Sequence, residues 1–151
     1  MLINHKTTNV NIKDRNNQTA LYLAITRGDE SMAENILSRR PAAIDFQDSN
    51  NQTVLHLAST HGYEKVVKEL LAQRASVDLQ DNNNQTPLTI SIIWGHVKVV
   101  ELILARKNEC NKSNHACILA CDERKHTPIF YGLANRRTEV VKLLLLHEKD
   151  W

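Results

Sequence analysis

The sequence predicts an all-α solenoid, in which short helix pairs stack along one direction. An Asp is followed five residues later by a Thr that opens an apolar segment, and this happens at Thr19, Thr53, Thr86 and Thr127, which are 34, 33 and 41 residues apart. A period near 33 residues is typical of a stacked repeat, in which each unit buries its apolar face only against its neighbours. The chain of 151 residues is long enough for one short array of this kind.

Composition and charge narrow the classes of partner. The formal net charge is +2, which does not single out nucleic acid, and no apolar run approaches the length of a membrane span. The first residues lack the apolar core of a signal peptide. Three cysteines, an odd number, do not make a secreted disulfide framework. We therefore expect a cytoplasmic protein with neither nucleic acid nor membrane as partner, and secretion into a host cell stays open as an alternative.

Each unit is predicted to begin with a turn and a first helix. The Thr can cap a free backbone N–H with its hydroxyl. Pro87 and Pro128 follow their Thr at the first helical position, where the missing N–H costs nothing. Gly28, Gly62 and Gly95 each fall nine residues after the Thr, where Gly can end the helix in a left-handed conformation.

A second helix is predicted from apolar pairs at helical spacing. The pairs are Val66/Val67 with Leu70/Leu71, Val99/Val100 with Ile103/Leu104, and Val140/Val141 with Leu144/Leu145. Such a pattern places the apolar side chains on one face of a helix. Because one helix pair cannot bury this face alone, we expect it to stack on neighbouring pairs.

The units resemble ankyrin repeats, since several motif positions recur in register. The matching stretches are 53–58 (TVLHLA), 86–88 (TPL), 127–129 (TPI), 62–67 (GYEKVV), 95–100 (GHVKVV) and 75–78 (ASVD). The resemblance covers almost the whole chain. It implies an L-shaped stack of antiparallel helix pairs, with hairpin-like fingers and a concave surface used for protein binding. It also implies that His56 bonds the Thr hydroxyls and braces neighbouring units.

The chain departs from the family pattern at two kinds of turn. The finger-turn Gly is replaced by Asn17, Asn51 and Asn84, and in the last unit by Lys125. Asn tolerates positive φ best after Gly, so we expect the first three turns to be undisturbed and Lys125 to fit less well. Arg136 stands where the helix-ending Gly is expected, so the end of that helix is expected to differ.

We divide the chain into one ankyrin-repeat domain, 1–151. It contains a partial repeat at 1–13 and repeats at 14–47, 48–80, 81–121 and 122–151, of which the third carries an insertion at 105–121. Both ends look cut, so Leu143 and Leu146 are expected near an uncapped apolar face. We predict a monomer, with self-association through this C-terminal face as the alternative.

A cluster of possible metal ligands lies in and after the insertion. It consists of Cys110, His115, Cys117, Cys121 and His126. Thiolate and imidazole ligands could bind zinc, but no C-x-x-C is present and the spacings are not those of a standard zinc site. We therefore expect no metal, no cofactor and no catalysis, and keep a metal-binding or redox-sensing module at 110–126 as the alternative. A structural segment of a longer array, such as one from a microbial effector, is a further alternative.

Trp94 is the main candidate for partner binding. The family register places it at the end of a first helix on the concave side, after Ile93, where other units carry mostly polar residues. Trp is enriched among interface hot spots, so we interpret Trp94 as a binding anchor; the alternative is that the 105–121 insertion covers it. The expected function is binding of a protein partner, and the other candidate contact residues are Ile93, His61, Arg27, Arg15, Gln52, Asn83, Gln85, Arg124 and His126.

Overall fold

The computed structural model describes residues 9, 11–39, 44–106 and 120–148. Within these ranges the chain forms eight helices in four consecutive pairs: α1 (Ala20–Thr26) with α2 (Glu30–Ser38), α3 (Val54–His61) with α4 (Glu64–Ala72), α5 (Pro87–Trp94) with α6 (Val97–Ala105), and α7 (Pro128–Ala134) with α8 (Thr138–Glu148). The described residues contain no strand, although Lys13 and Thr19 form an isolated antiparallel bridge. The all-α prediction is therefore confirmed.

The helices form two rows. The first helices of the pairs, α1, α3, α5 and α7, contact one another in that order, and the second helices, α2, α4, α6 and α8, do the same. We call each helix pair with its preceding turn a unit, numbered 1 to 4 along the chain. One contiguous apolar core runs through the units. Its largest fully buried aliphatic side chains are Ile25, Leu37, Leu55, Leu70, Leu88, Ile92, Ile103 and Leu144.

Three of the four first helices start with the Thr cap that the sequence predicts. A Thr hydroxyl accepts a hydrogen bond from the N–H three residues later at Thr19 (3.2 Å), Thr53 (3.4 Å) and Thr86 (3.3 Å). Pro87 and Pro128 occupy the first helical positions of α5 and α7. In unit 4, the Thr127 side chain makes no such cap with any described residue. Local capping chemistry therefore accounts for three of the four starts.

The turn after each first helix has the same conformation in all four units. Gly28, Gly62 and Gly95 have φ of 77°, 72° and 77°, and Arg136 in the equivalent place has φ of 55°. The N–H of Arg136 donates to the carbonyl of Leu133 at 3.1 Å, as the N–H of Gly28 does to that of Ile25. The expectation that this helix end differs is therefore wrong. The hydrogen bonds of the turn impose the left-handed conformation even on a residue with a Cβ.

The second helices bury the predicted apolar faces in the interior units. Val66, Val67 and Leu70 are fully buried in unit 2, and the equivalent side chains of unit 3 are buried as well. In unit 4, by contrast, Val140 and Leu144 are buried and Leu145 is 44% exposed. The second-helix prediction thus holds, and burial falls off on one side of the last unit.

Leu143 and Leu146 were expected to lie near an uncapped apolar face, and their own exposure does not test this. Leu143 is half-buried and packs against the core. Leu146 is 59% exposed, but Ser38, Ala72 and Ala105, the equivalent residues of units 1 to 3, are exposed too. Exposure at this position is therefore a feature of every unit and does not mark an uncapped end.

Parts of the predicted domain plan fall outside the described residues. These are 1–8 and 10 of the partial repeat, 40–43, 149–151, and 107–119, which make up most of the insertion and include Cys110, His115 and Cys117. The described helices include none with the length and apolar character needed to cross a membrane.

Candidate functional site

Each finger turn is organised around the Asp of the repeated motif. In unit 2, Asp48 Oδ1 accepts hydrogen bonds from the N–H groups of Asn50 and Gln52, both at 2.8 Å. The Asp48 N–H also donates to the Gln52 carbonyl at 3.0 Å. The other three turns repeat this pattern around Asp14, Asp81 and Asp122. Sequence reasoning explained the Asn and the Thr of the motif but missed this role, although the fixed position of the Asp was a signal for it.

The residues in the Gly position of the finger turns all adopt positive φ. The angles are 65° at Asn17, 57° at Asn51, 56° at Asn84 and 62° at Lys125. The expectation for the three Asn is confirmed. Lys125 adopts the same conformation, and its N–H donates to the Asp122 carbonyl at 2.9 Å. The Asp-centred turn therefore holds a Lys in a conformation that disfavours side chains with a Cβ.

Backbone and side-chain hydrogen bonds join the fingers of units 2 and 3. The Asn82 N–H donates to the Asn50 carbonyl at 3.0 Å, and Asn51 Nδ2 donates to Asn82 Oδ1 at 2.7 Å. Gln47 Nε2 donates to the Gln80 carbonyl at 3.3 Å. These two fingers therefore form a connected edge, and their tips are held in a fixed register.

His56 braces units 2 and 3, as the family resemblance implied. The Thr53 hydroxyl lies 2.8 Å from His56 Nδ1, which also accepts from the Thr53 N–H at 3.1 Å. Because Nδ1 accepts, the proton is on Nε2, which donates to the Gln85 carbonyl at 3.1 Å. Burial lowers the pKa of His56 below its ordinary value, against weaker opposing effects of the Gln85 carbonyl and nearby carboxylates. His56 is therefore a neutral structural residue.

Tyrosine hydroxyls make a second kind of internal contact. Tyr22 in unit 1 donates to Asp48 Oδ2 in unit 2 at 2.7 Å. Burial, followed by this hydrogen bond and the carboxylate charge, raises the pKa of Tyr22 to about 12. In unit 4, Tyr131 donates to Asp122 Oδ2 at 2.5 Å. Burial tends to raise the pKa of Asp122, but the Tyr131 hydroxyl and the turn N–H groups outweigh it and lower that pKa.

His126 lies in a packed arrangement on the last finger. Its ring stacks on Phe130 with centroids 3.9 Å apart and planes 9° apart, and meets Tyr131 edge-on at 5.8 Å. Its Nδ1 lies 3.5 Å from Asp122 Oδ2. Since one ring face packs within its own unit, His126 offers a partner only part of its surface.

Trp94 is exposed at the end of α5. Its side chain is 58% exposed, and Gly95 ends the helix directly after it. Arg137 of unit 4 lies over Gly95 and donates from Nη2 to the Ile93 carbonyl at 3.2 Å. The carbonyl before Trp94 is therefore hydrogen-bonded to the next unit, and Arg137 packs over the Gly that follows Trp94, while the indole remains exposed.

The other residues that we selected from the sequence lie on the helix ends and fingers. Arg27 and His61 occupy the position of Trp94 in units 1 and 2, both are exposed, and His61 stacks on Tyr63 with centroids 5.2 Å apart. Five further candidates lie on the finger turns: Arg15, Asn83 and Arg124 are exposed, whereas Gln52 and Gln85 are half-buried. The structure thus presents a row of helix ends and a row of finger tips.

Comparison with known proteins agrees with this architecture. A family model described as ankyrin repeats (3 copies) matches residues 26–115 and 75–151. The chain belongs to the ankyrin repeat family. Ankyrin repeats are generally protein–protein interaction modules, and the family is typically non-catalytic. A search of curated proteins gave no match.

The described part of this ankyrin array gives little support to the metal-binding alternative. No group of three His, Cys, Asp or Glu side chains among the described residues could hold a metal ion. Cys121 is exposed, and His126 makes the contacts given above. The other members of the cluster, Cys110, His115 and Cys117, lie outside the described residues. Metal binding by the full cluster stays an untested alternative.

Proposed function

We propose that this ankyrin array binds a partner protein through its first-helix ends and finger tips, with Trp94 as the anchor. The observation that carries the proposal is a Trp that is 58% exposed at a helix end whose backbone is fixed by the next unit. Large aromatic side chains are costly to leave in water and are enriched among interface hot spots. Arg27 and His61, at the same position in units 1 and 2, are polar, so the apolar contact is concentrated at Trp94.

The rigidity of the surface supports a preformed binding site. The Asp-centred turns, the Asn82 contacts between fingers and the His56 bridge hold the fingers and first helices in register. A surface that is ordered before binding loses less conformational entropy on docking. The proposed mechanism is therefore docking of a partner onto a fixed template, without a cofactor and without catalysis.

The side chains around the proposed anchor favour a particular kind of partner surface. Arg27 and His61 lie on the helix ends, and Arg15 and Arg124 lie on the outer fingers. Amide side chains on the fingers can donate and accept hydrogen bonds. This combination suits a protein segment that places an apolar residue on the Trp94 indole and carries acidic groups beside it.

The other parts of the proposal are the domain assignment, the compartment and the class of partner that the sequence predicts. We assign the whole chain, 1–151, to one array with the repeat boundaries given above, and propose that it acts in the cytoplasm on a protein and not on nucleic acid or a membrane. The single-array assignment rests on the stacking of four helix pairs with one contiguous core.

Parallel affinity capture tests this function. Wild-type protein, Trp94→Ala and Leu146→Ala are immobilised in equal amounts, and the bound proteins are quantified. Leu146 is a matched control, because it is 59% exposed and lies on a second helix. We expect a protein that is retained by the wild type and by Leu146→Ala and depleted on Trp94→Ala. Equal retention by all three proteins would contradict the role of Trp94.

A further inference from the structure

Unit 4 exposes apolar side chains at positions that earlier units bury. Phe130, Leu133 and Leu145 are 43%, 63% and 44% exposed. Ile92 occupies the position of Leu133 in unit 3 and is fully buried, with its Cγ2 lying 3.7 Å from the point that a Cβ on Gly132 of unit 4 would occupy. The following unit therefore covers this position inside the array. Among the described residues, nothing covers it on unit 4.

On its opposite side, unit 1 exposes an apolar side chain at a position that the other units bury. Met32, thirteen residues after its Thr, is 50% exposed. The equivalent residues Val66, Val99 and Val140 are all fully buried. Each of these three belongs to a unit that has a preceding neighbour in the described chain, whereas unit 1 does not. The two ends of the described array thus present the two halves of the contact that joins consecutive units.

We propose that a second copy of this chain covers the exposed face of unit 4 with its own unit 1. The intermolecular contact would repeat the stacking geometry found three times within one chain. This inference does not rest on the proposed function, because it uses the outer faces of units 1 and 4 and not Trp94; Arg15 alone belongs to both surfaces.

Charge complementarity at one repeated contact supports this occupant. Inside the chain, the side chain ten residues after each Thr lies over the helix-ending Gly of the preceding unit: Tyr63 over Gly28, His96 over Gly62, and Arg137 over Gly95. Asp29 lies ten residues after Thr19, and Arg136 occupies the helix-ending position of unit 4. In the proposed contact, Asp29 of the second copy would therefore lie over Arg136 of the first. Both residues are exposed and carry opposite charges. Asp29 Oδ1 caps the Met32 N–H at 2.9 Å, and the carboxylate has a second oxygen that can accept from the guanidinium.

A repeated donor position also favours this arrangement. Twenty residues after the Thr, a side-chain donor reaches back to the preceding unit: Gln73 Nε2 donates to the Leu37 carbonyl at 2.7 Å, and Arg106 donates to the Ala75 carbonyl, just beyond the end of α4. The donor position recurs, whereas the acceptor differs between the two units. Unit 1 carries the exposed Arg39 at this position. In the second copy, Arg39 would face the carbonyl end of α8, where the helix dipole favours a positive charge.

One pair of equivalent residues is unfavourable to the proposed contact. In units 2 and 3, Asn51 pairs with Asn82 across the finger tips. The equivalent residues in the proposed contact are Lys125 and Arg15, which carry like charges. Both are exposed, so salt screens their repulsion, and the association is expected to be weaker than the stacking within a chain.

The proposed contact joins two different faces. It therefore leaves one face of unit 1 and one face of unit 4 uncovered at the ends of any open assembly. Such a head-to-tail contact continues beyond a dimer unless the rotation between copies closes a ring. The average mass should accordingly rise with protein concentration past that of two chains, or stop at the mass of one closed ring.

Sedimentation velocity over a wide range of protein concentration tests the proposal. We compare the wild type with Arg136→Glu and with Asp29→Asn, which keeps a good helix-capping residue. Lys68→Glu, on an exposed part of α4 in unit 2, is the matched control. We expect concentration-dependent association of the wild type and Lys68→Glu, and a loss of association of about tenfold or more for the two other variants, as the rupture of a charge-assisted contact implies.

A mixing experiment separates a specific ion pair from a general effect of charge. Arg136→Glu and Asp29→Arg are each expected to associate weakly alone and to associate together when mixed, because each supplies the opposite charge to the other. The melting temperature of each variant shows that it is folded. A wild type that remains monomeric at every concentration would overturn the proposal and leave the face to another segment or protein. Association that Arg136→Glu and Asp29→Asn do not weaken would overturn it as well.

Discussion

The guanidinium of Arg137 occupies the space in which a side chain on Gly95 would begin. A Cβ at Gly95 would lie 2.6 Å from Arg137 Cζ, which is too close for non-bonded atoms. The same guanidinium donates to the Ile93 carbonyl at 3.2 Å. The Arg137 side chain thus contacts the end of α5 at the Ile93 carbonyl and at Gly95, and Trp94 lies between these two points. The orientation of the proposed anchor therefore depends on unit 4 as well as on its own helix.

Replacement of the helix-ending glycines by Ala should destabilise the chain in a graded order. Each has φ above 70°, so a Cβ alone is expected to cost about 1–2 kcal/mol. At Gly62 the Cβ would also meet the His96 ring at 2.5 Å, and that ring is held by a hydrogen bond to the Thr60 carbonyl. At Gly95 the Cβ would meet the Arg137 guanidinium, the far end of a long side chain that can shift more easily than the His96 ring.

Urea unfolding of the three Ala variants measures this order. We expect the loss of stability to be smallest at Gly28, where the nearest atom is a Tyr63 hydroxyl at 3.2 Å, and largest at Gly62. A Gly62→Ala variant no less stable than Gly28→Ala would show that the His96 ring moves aside without cost.

Arg136→Gly should stabilise the chain. Arg136 has φ of 55°, a conformation that Gly adopts without the Cβ penalty. The gain is partly offset by the greater freedom of Gly in the unfolded chain, so we expect about 0.5–1 kcal/mol. Arg136→Ala keeps the Cβ and should give no such gain. Thermal unfolding at low protein concentration, where association does not contribute, distinguishes the two; equal stability of the Gly and Ala variants would contradict the strain argument.

Tyr22→Phe should cost stability because it removes a donor from a buried carboxylate. Asp48 is 7% exposed, and its Oδ2 accepts from the Tyr22 hydroxyl at 2.7 Å. A buried acceptor that loses its partner is expected to cost about 1–3 kcal/mol. Tyr63→Phe is the control, because that hydroxyl lies over Gly28 and not on a carboxylate. Denaturant unfolding that gives the same free energy for both variants would argue against the contact.

The stability of the chain should fall in acid partly because of His56. Burial lowers the folded-state pKa of His56 below 6.5, so the unfolded chain binds more protons at this site as the pH falls. The stabilising effect of the neutral ring is fully present above the unfolded-state pKa. It is lost as the pH falls from that value through the folded-state pKa, by at most about 1.4 kcal/mol per pH unit.

The measurement is the free energy of unfolding as a function of pH for the wild type and for His56→Gln. Gln cannot titrate, so the variant should be less stable at neutral pH and should lose less stability on acidification. Parallel pH dependences of the two proteins would exclude His56 as the source.

The features that sequence reasoning predicted well are those set by local chemistry. The Thr caps, the helix-ending glycines and the positive φ of Asn17, Asn51 and Asn84 depend on residues a few positions apart, and the repeat period placed them in register. The bridge from His56 to the next unit was also expected, because the family resemblance supplied the contact between units.

The features that were missed depend on contacts between distant residues or on an unoccupied neighbouring position. The bond from Tyr22 to Asp48 joins two units, and no local pattern indicates it. Arg136 was expected to change its turn, but the hydrogen bonds of the turn outweigh the preference of the residue. Phe130 and Leu133 look like core residues in register, and they are exposed because no described unit follows them. The surface position of Trp94 was anticipated from register, but its role in binding stays a proposal.

The central claim is that Trp94 anchors a partner protein, and the dissociation constant of the captured partner tests it most directly. Titration calorimetry compares the wild type, Trp94→Ala and Leu146→Ala, with a melting curve for each. Loss of a hot-spot Trp of about 2 kcal/mol corresponds to about a thirtyfold weaker affinity. We expect this loss for Trp94→Ala alone, with the melting temperature unchanged. An unchanged dissociation constant together with a lowered melting temperature would show that Trp94 supports the fold and does not bind the partner.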